Sequence, residues 1–150
     1  MEKLNYSILI NAPKEKVWHT MLDKEPYKEW TSVFNPSGSY YEGEWRTGSQ
    51  IRFIGPEKDG TVSGIISEVA ELRPFEFSSL KHLKELIKGV EKPFAEGSEM
   101  YENYTFTDKG DGTEVLAELS TSGNFPPEYS TMFNDMWPKA LLKLKEIAEK

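Results

Sequence analysis

The sequence contains no cysteine, which rules out disulfides, thiolate metal ligands and cysteine nucleophiles. Histidine is scarce, with only His19 and His82 present. Without carboxylates at ligand spacing, these are too few for a structural metal site. Positive charge is in deficit, since 18 Lys and Arg against 25 Asp and Glu leave a net −7. Phosphate binding needs a clustered basic field, so nucleic acid is excluded as a partner and anionic membrane surfaces are disfavoured. No apolar run is long enough to span a bilayer, and the opening Met-Glu-Lys-Leu-Asn-Tyr-Ser has no apolar signal core. Membrane insertion is therefore not expected, and a cytoplasmic location is. The metalloprotease His pair, phosphate-binding glycine loop, dinucleotide fingerprint and nucleophile elbow are also missing. No catalytic residue, metal or cofactor is assigned.

Aromatic side chains are plentiful: four Trp, seven Tyr and eight Phe in 150 residues. That length suits one domain, 1–150, with a core of its own. Residues 4–10 carry Leu4, Tyr6, Ile8 and Ile10 at the period of a half-buried strand. Pro13 then suits the first turn of a helix bearing Val17, Trp18, Met21 and Leu22. A short second helix is predicted over 25–30, with Pro26 in its first turn.

From 34 to about 80, glycine-punctuated segments predict an antiparallel meander, with strands at 51–54, 61–69 and 75–80. Residues 81–97 are rich in Lys and Glu, with Leu83, Leu86 and Ile87 at helical spacing, and read as a loop holding one helical turn. Two further strands, 100–107 and 113–121, flank a Gly-Asp-Gly turn. A long amphipathic helix over 127–149 closes the chain. Pro138 inside it removes the bond to the carbonyl of Asn134, so a kink or break is expected there. The class is α+β, a sheet of six to seven antiparallel strands with two short helices and one long one.

This order resembles the START-like, or Bet v-type, helix-grip fold of the SRPBCC superfamily, in which a curved antiparallel sheet wraps around the last helix. Several stretches are similar to the branch of the activator of heat-shock-protein-90 ATPase. They are Ile10-Asn11-Ala12-Pro13-Lys14-Glu15-Lys16-Val17-Trp18, Tyr27-Lys28-Glu29-Trp30-Thr31, Glu42 through Phe53, Tyr101-Glu102-Asn103-Tyr104-Thr105-Phe106, and Trp137-Pro138-Lys139-Ala140-Leu141. The likeness covers nearly the whole chain and is poorest over 81–97. It implies the fold but names no substrate, since sites are grafted onto folds.

In that fold, Trp18, Trp30, Phe34, Tyr41, Phe53, Phe77, Tyr104, Phe106, Phe133 and Trp137 come from elements that converge between sheet and final helix. They are the candidate lining of an apolar ligand cavity, or else simply fill the interior. Glu102 shares a strand face with Met100, Tyr104 and Phe106, an unusual place for a carboxylate. Either it reaches water at a strand edge, or it points inward and needs a partner, for which Arg52 is the candidate. His82 is placed at the cavity mouth, whereas His19 is placed on the surface. Three functions are compatible: binding of a small hydrophobic molecule oriented by Tyr104, Glu102, Arg52 or His82; a module that docks to a chaperone; or a cyclase- or hydrolase-type enzyme using Glu102 or His82.

Overall fold

In the computed structural model the described residues are 2–35, 38–94 and 97–150. Among them the chain forms β1 (Glu2–Ile10), α1 (Lys14–Leu22), α2 (Lys24–Trp30), β2 (Tyr40–Glu42), β3 (Gln50–Pro56), β4 (Val62–Arg73), β5 (Phe77–Ile87), β6 (Val90–Pro93), β7 (Met100–Lys109), β8 (Gly112–Thr121) and α3 (Pro127–Ala148). All pairings are antiparallel, in the order β1-β8-β7-β5-β4-β3-β2. The result is a curved, unclosed sheet with α3 as its closing helix. Gly64 permits tight coiling of β3 on β4, because a Cβ there would lie 1.8 Å from the carbonyl oxygen of Phe53.

The alternation of β1 is kept, with Leu4, Tyr6, Ile8 and Ile10 turned inward and Leu9 exposed. On α3 the buried residues Trp137, Ala140, Leu141, Leu144 and Ala148 fall at helical spacing and form one stripe. This stripe packs with Ile10, Val17, Met21, Phe106 and Val115. A second, smaller cluster is built from Tyr41, Ile51, Val69 and Leu80.

Residues 81–87 are not a loop. They continue β5, and 90–93 return as β6, which adds a strand to the expected sheet. The hairpin turns at Lys88 and Gly89, which both take positive φ, 48° and 83°, as a two-residue hairpin of the primed type requires. The tail of the predicted loop, 95 and 96, lies outside the described residues. The helical-looking Leu83, Leu86 and Ile87 misled because β5 is bulged, which disrupts its period of two. Opposite it, Ile66 pairs with Lys84 but Ser67 pairs with His82, leaving Leu83 as an extra residue. A long β4 offers ladder partners that outweigh local helix propensity. Nor does Pro138 break α3, which is helical through all 22 residues.

Burial ranks the leucines of α3 sharply. Leu144→Ala should lose about 2–5 kcal/mol of stability, whereas Leu142→Ala, at a residue 59% exposed, should change it by about 0.5 kcal/mol or less. Urea unfolding of both variants tests this. Equal losses would contradict the placement of the helix stripe.

Candidate functional site

The bulge at Leu83 decides which way His82 points. Lys84 lies opposite Ile66, and simple alternation would put His82 on that same face. The extra residue resets the phase, so His82 faces Ser67, whose other cross-strand neighbour is the inward Ile51. A second shift, between Val69 and Glu71, turns Leu72 inward opposite Ser78. From β7, Glu102 and Tyr104 project inward at the two-residue period, Glu102 opposite Leu80 on one side and Leu119 on the other.

These side chains form a polar line on an otherwise apolar wall. The Oγ of Ser67 lies 2.6 Å from His82 Nδ1. On the other side of the ring, Nε2 lies 3.3 Å from Glu102 Oε1, with the two side chains 8% and 21% exposed. The Tyr104 hydroxyl donates a hydrogen bond to Glu102 Oε2. A carboxylate favours a proton on the facing Nε2, which leaves Nδ1 to accept from the Ser67 hydroxyl. Burial, then the Glu102 charge, holds the Tyr104 phenol neutral well above the ordinary tyrosine range. Tyr27 is raised in the same way, by burial first and then by Glu102 and Tyr41.

Beside this line is a partly open cavity of about 260 Å³, with Trp30, Phe34, Phe53, Tyr104, Phe133 and Trp137 among its walls. Residues of both core clusters border it, so it marks where the two fail to close on each other. Trp137 is the centre of the ring assembly, with Phe34 at 5.2 Å, Trp30 and Tyr104 each at 6.1 Å, and Tyr6 stacked at 6.2 Å. The Tyr6 hydroxyl also donates to Asn134 Oδ1, 2.7 Å away and one turn before the tryptophan.

Of the residues expected to line the cavity, His82 and Glu102 do so together with the six rings just named. Five do not. Arg52 points outward to Glu42, 3.7 Å away, because its neighbours Ile51 and Phe53 take the inward positions; it is not the partner of Glu102. Trp18 and Phe106 pack on each other at 5.2 Å, sealing the core beneath α1. Tyr41 turns its hydroxyl to the Leu22 carbonyl oxygen at 2.6 Å, inside the second cluster. Phe77 begins β5 under the Arg73 guanidinium, 4.9 Å from its ring centre. His82 sits mid-strand on the cavity wall rather than in a loop, and His19 is on the surface, 3.2 Å from Asp23.

Other lining residues were not anticipated: Tyr27, Trp45, Leu80, Leu119 and Phe125. Tyr27 precedes Trp30 by three residues on α2, a helical spacing that could have flagged it. Trp45 and Phe125 lie outside helices and strands, where no periodicity marks them. The Trp45 indole N–H is buried facing the Tyr41 hydroxyl, without a hydrogen bond of normal geometry among the described residues.

Serine, histidine and glutamate in line suggest a hydrolytic triad. Ser67, however, is completely buried and borders no part of the cavity. It holds the imidazole and offers no nucleophile. Among the described residues no cluster of three metal-ligating side chains occurs, and no helix is long and apolar enough to cross a membrane.

The family model "Activator of Hsp90 ATPase homolog 1-like protein" matches residues 11–149. The chain belongs to this family. No curated protein matches it. Among solved structures it is similar to the Aha1 dimer from Colwellia psychrerythraea, at 20% identity and TM-score 0.72, covering 99% of this chain and 97% of that one. A Nitrosomonas europaea protein gives 18% and 0.73, covering 96% and 92%. CalU16 from Micromonospora echinospora gives 16% and 0.65, covering 97% and 75%. At these identities the likeness concerns the fold.

The phenols of Tyr104, which is buried, and Tyr27, which is half-buried on the cavity wall, make the stability pH-dependent. Their native pKa values are raised, so the stabilisation is complete below the unfolded tyrosine pKa of about 10 and is lost above it. The unfolded chain then sheds protons that the native one retains. Each such tyrosine should remove about 1.4 kcal/mol per pH unit above pH ~10. Urea unfolding between neutral and alkaline pH should show this loss, reduced in Tyr27→Phe. An unchanged slope in that variant would mean the Tyr27 phenol is not buried as described.

Proposed function

We propose that this family member binds a small hydrophobic molecule, lipid-like or aromatic, between the sheet and α3. The observation that carries this reading is the ring-walled cavity with one polar line on its wall. Small-molecule sites combine apolar walls with a few polar groups that fix orientation. A filled interior would instead pack close to crystal density. The volume, about 260 Å³, exceeds the roughly 150 Å³ that accepts benzene and falls just below the usual ligand-pocket range of about 300–1,000 Å³. A ligand of one or two rings, or a short chain, fits best. Binding in a cytoplasmic setting is part of this proposal.

The family description supports a second reading, docking to a chaperone of the Hsp90 type. Such a role would use the outer surface and would not need the cavity.

Native mass spectrometry of the purified protein and a thermal-shift series with small apolar compounds test the first reading. A true ligand should stabilise the fold in a saturable way, by about 2.7 kcal/mol at a concentration of 100 Kd. Ile65→Trp, which fills the cavity from its β4 wall, should abolish that stabilisation while the protein remains folded. If no compound stabilises the wild-type protein, the chaperone reading takes precedence.

A further inference from the structure

We propose that the cavity selects amines, meaning an apolar body carrying one protonated nitrogen, and rejects carboxylates of the same size. The inference rests on the binding reading above and adds the chemistry of the head group. Among the described residues of the cavity wall, Glu102 is the one carboxylate, and neither lysine nor arginine is present. Among the described residues of that wall the one ionisable nitrogen base is His82, whose ring is committed on both edges: Nδ1 to Ser67 and Nε2 toward Glu102. A carboxylate ligand would therefore find no free cationic donor and would bring a second negative charge beside Glu102 in a poorly solvated space.

A protonated amine meets the opposite conditions. Among the described residues each Glu102 oxygen has one polar partner, Oε1 with His82 and Oε2 with Tyr104. A carboxylate offers about four acceptor positions, which leaves room for a charge-assisted bond from a ligand N–H. The rings continue outward from that point. Tyr104 lies 6.1 Å from Trp137, which itself lies 6.1 Å from Trp30 and 5.2 Å from Phe34. Ring faces attract cations, and tryptophan does so most strongly. The negative charge of Glu102 is felt by both Tyr104 and Tyr27, on opposite elements of the cavity wall. Carboxylate and rings thus favour the same charge on the ligand.

Three probes of matched size separate the possibilities: 3-phenylpropylamine, 3-phenylpropanol and 3-phenylpropanoate, each titrated calorimetrically into the wild-type protein and Glu102→Gln. The amine should bind best and the carboxylate worst, with a ratio of about tenfold or more between them. Glu102→Gln, which keeps the size and an acceptor for Tyr104, should remove the amine's advantage over the alcohol. If the variant does not fold, the ranking on the wild-type protein decides. Equal binding of all three probes, or preference for the carboxylate, overturns the head-group inference and leaves the cavity reading standing. Binding of none overturns both.

Discussion

The arrangement of the site depends on one side chain, Trp137, held where the final helix crosses the open side of the sheet. Its ring touches β1 through Tyr6, α2 through Trp30, β7 through Tyr104, and Phe34 in the connection that follows α2. Offset and edge-on ring pairs of this kind add to the area they bury. They are also geometrically demanding, so α3 has little freedom to slide along the sheet. The Tyr6–Asn134 hydrogen bond pins the same turn from the polar side. Pro138 follows immediately, and α3 tolerates it without a break. Four elements are thus tied at a single point, with the cavity open beside it.

A polar line inside such a space is costly unless its members satisfy one another. Ser67, His82, Glu102 and Tyr104 come from three adjacent strands and do so across the sheet. The cross-strand register supplies the spacing, and the bulge at Leu83 supplies the facing. A partly satisfied network would be worse than an apolar wall. The unused acceptor positions of Glu102 stay tolerable because they look into the cavity, where water or a ligand can reach them.

Much of this was legible in the sequence. Period-two alternation located β1, β7 and β8 to within a few residues, and the α3 stripe could be read from Trp137 to Ala148. Glu102 was recognisable as inward because its neighbours at two-residue steps are Met100, Tyr104 and Phe106. Its partner was not. Arg52 lies on a strand of similar composition, but its facing depends on alternation from Ile51, and charge alone suggested the pair. His82 was recognisable as a cavity residue, but its place within a strand was hidden by the bulge, since an extra residue in a strand has no sequence signature of its own when the segment is rich in Lys, Glu and Leu. The rings divided according to geometry beyond the reach of periodicity. Trp18 and Phe106 are as apolar and as regularly spaced as Trp30 and Tyr104, yet the first two close the core and the others leave it open.

The edge strand β1 has a consequence for how the molecule is made. Among the described residues its one strand partner is β8, paired from Glu2 with Thr121 to Ile10 with Thr113. The Thr113 hydroxyl reinforces the junction by donating to the Ala12 carbonyl, 101 positions away. Within this domain β1 is made about a hundred residues before β8 and waits for it unpaired. Closing so long a loop costs entropy before any contact compensates, which places such topologies among the slower folders, on a scale of milliseconds to seconds. During that wait the alternating face of Leu4, Tyr6 and Ile8 remains uncovered. Completion of β8, rather than of each element in turn, sets the moment at which that face is covered.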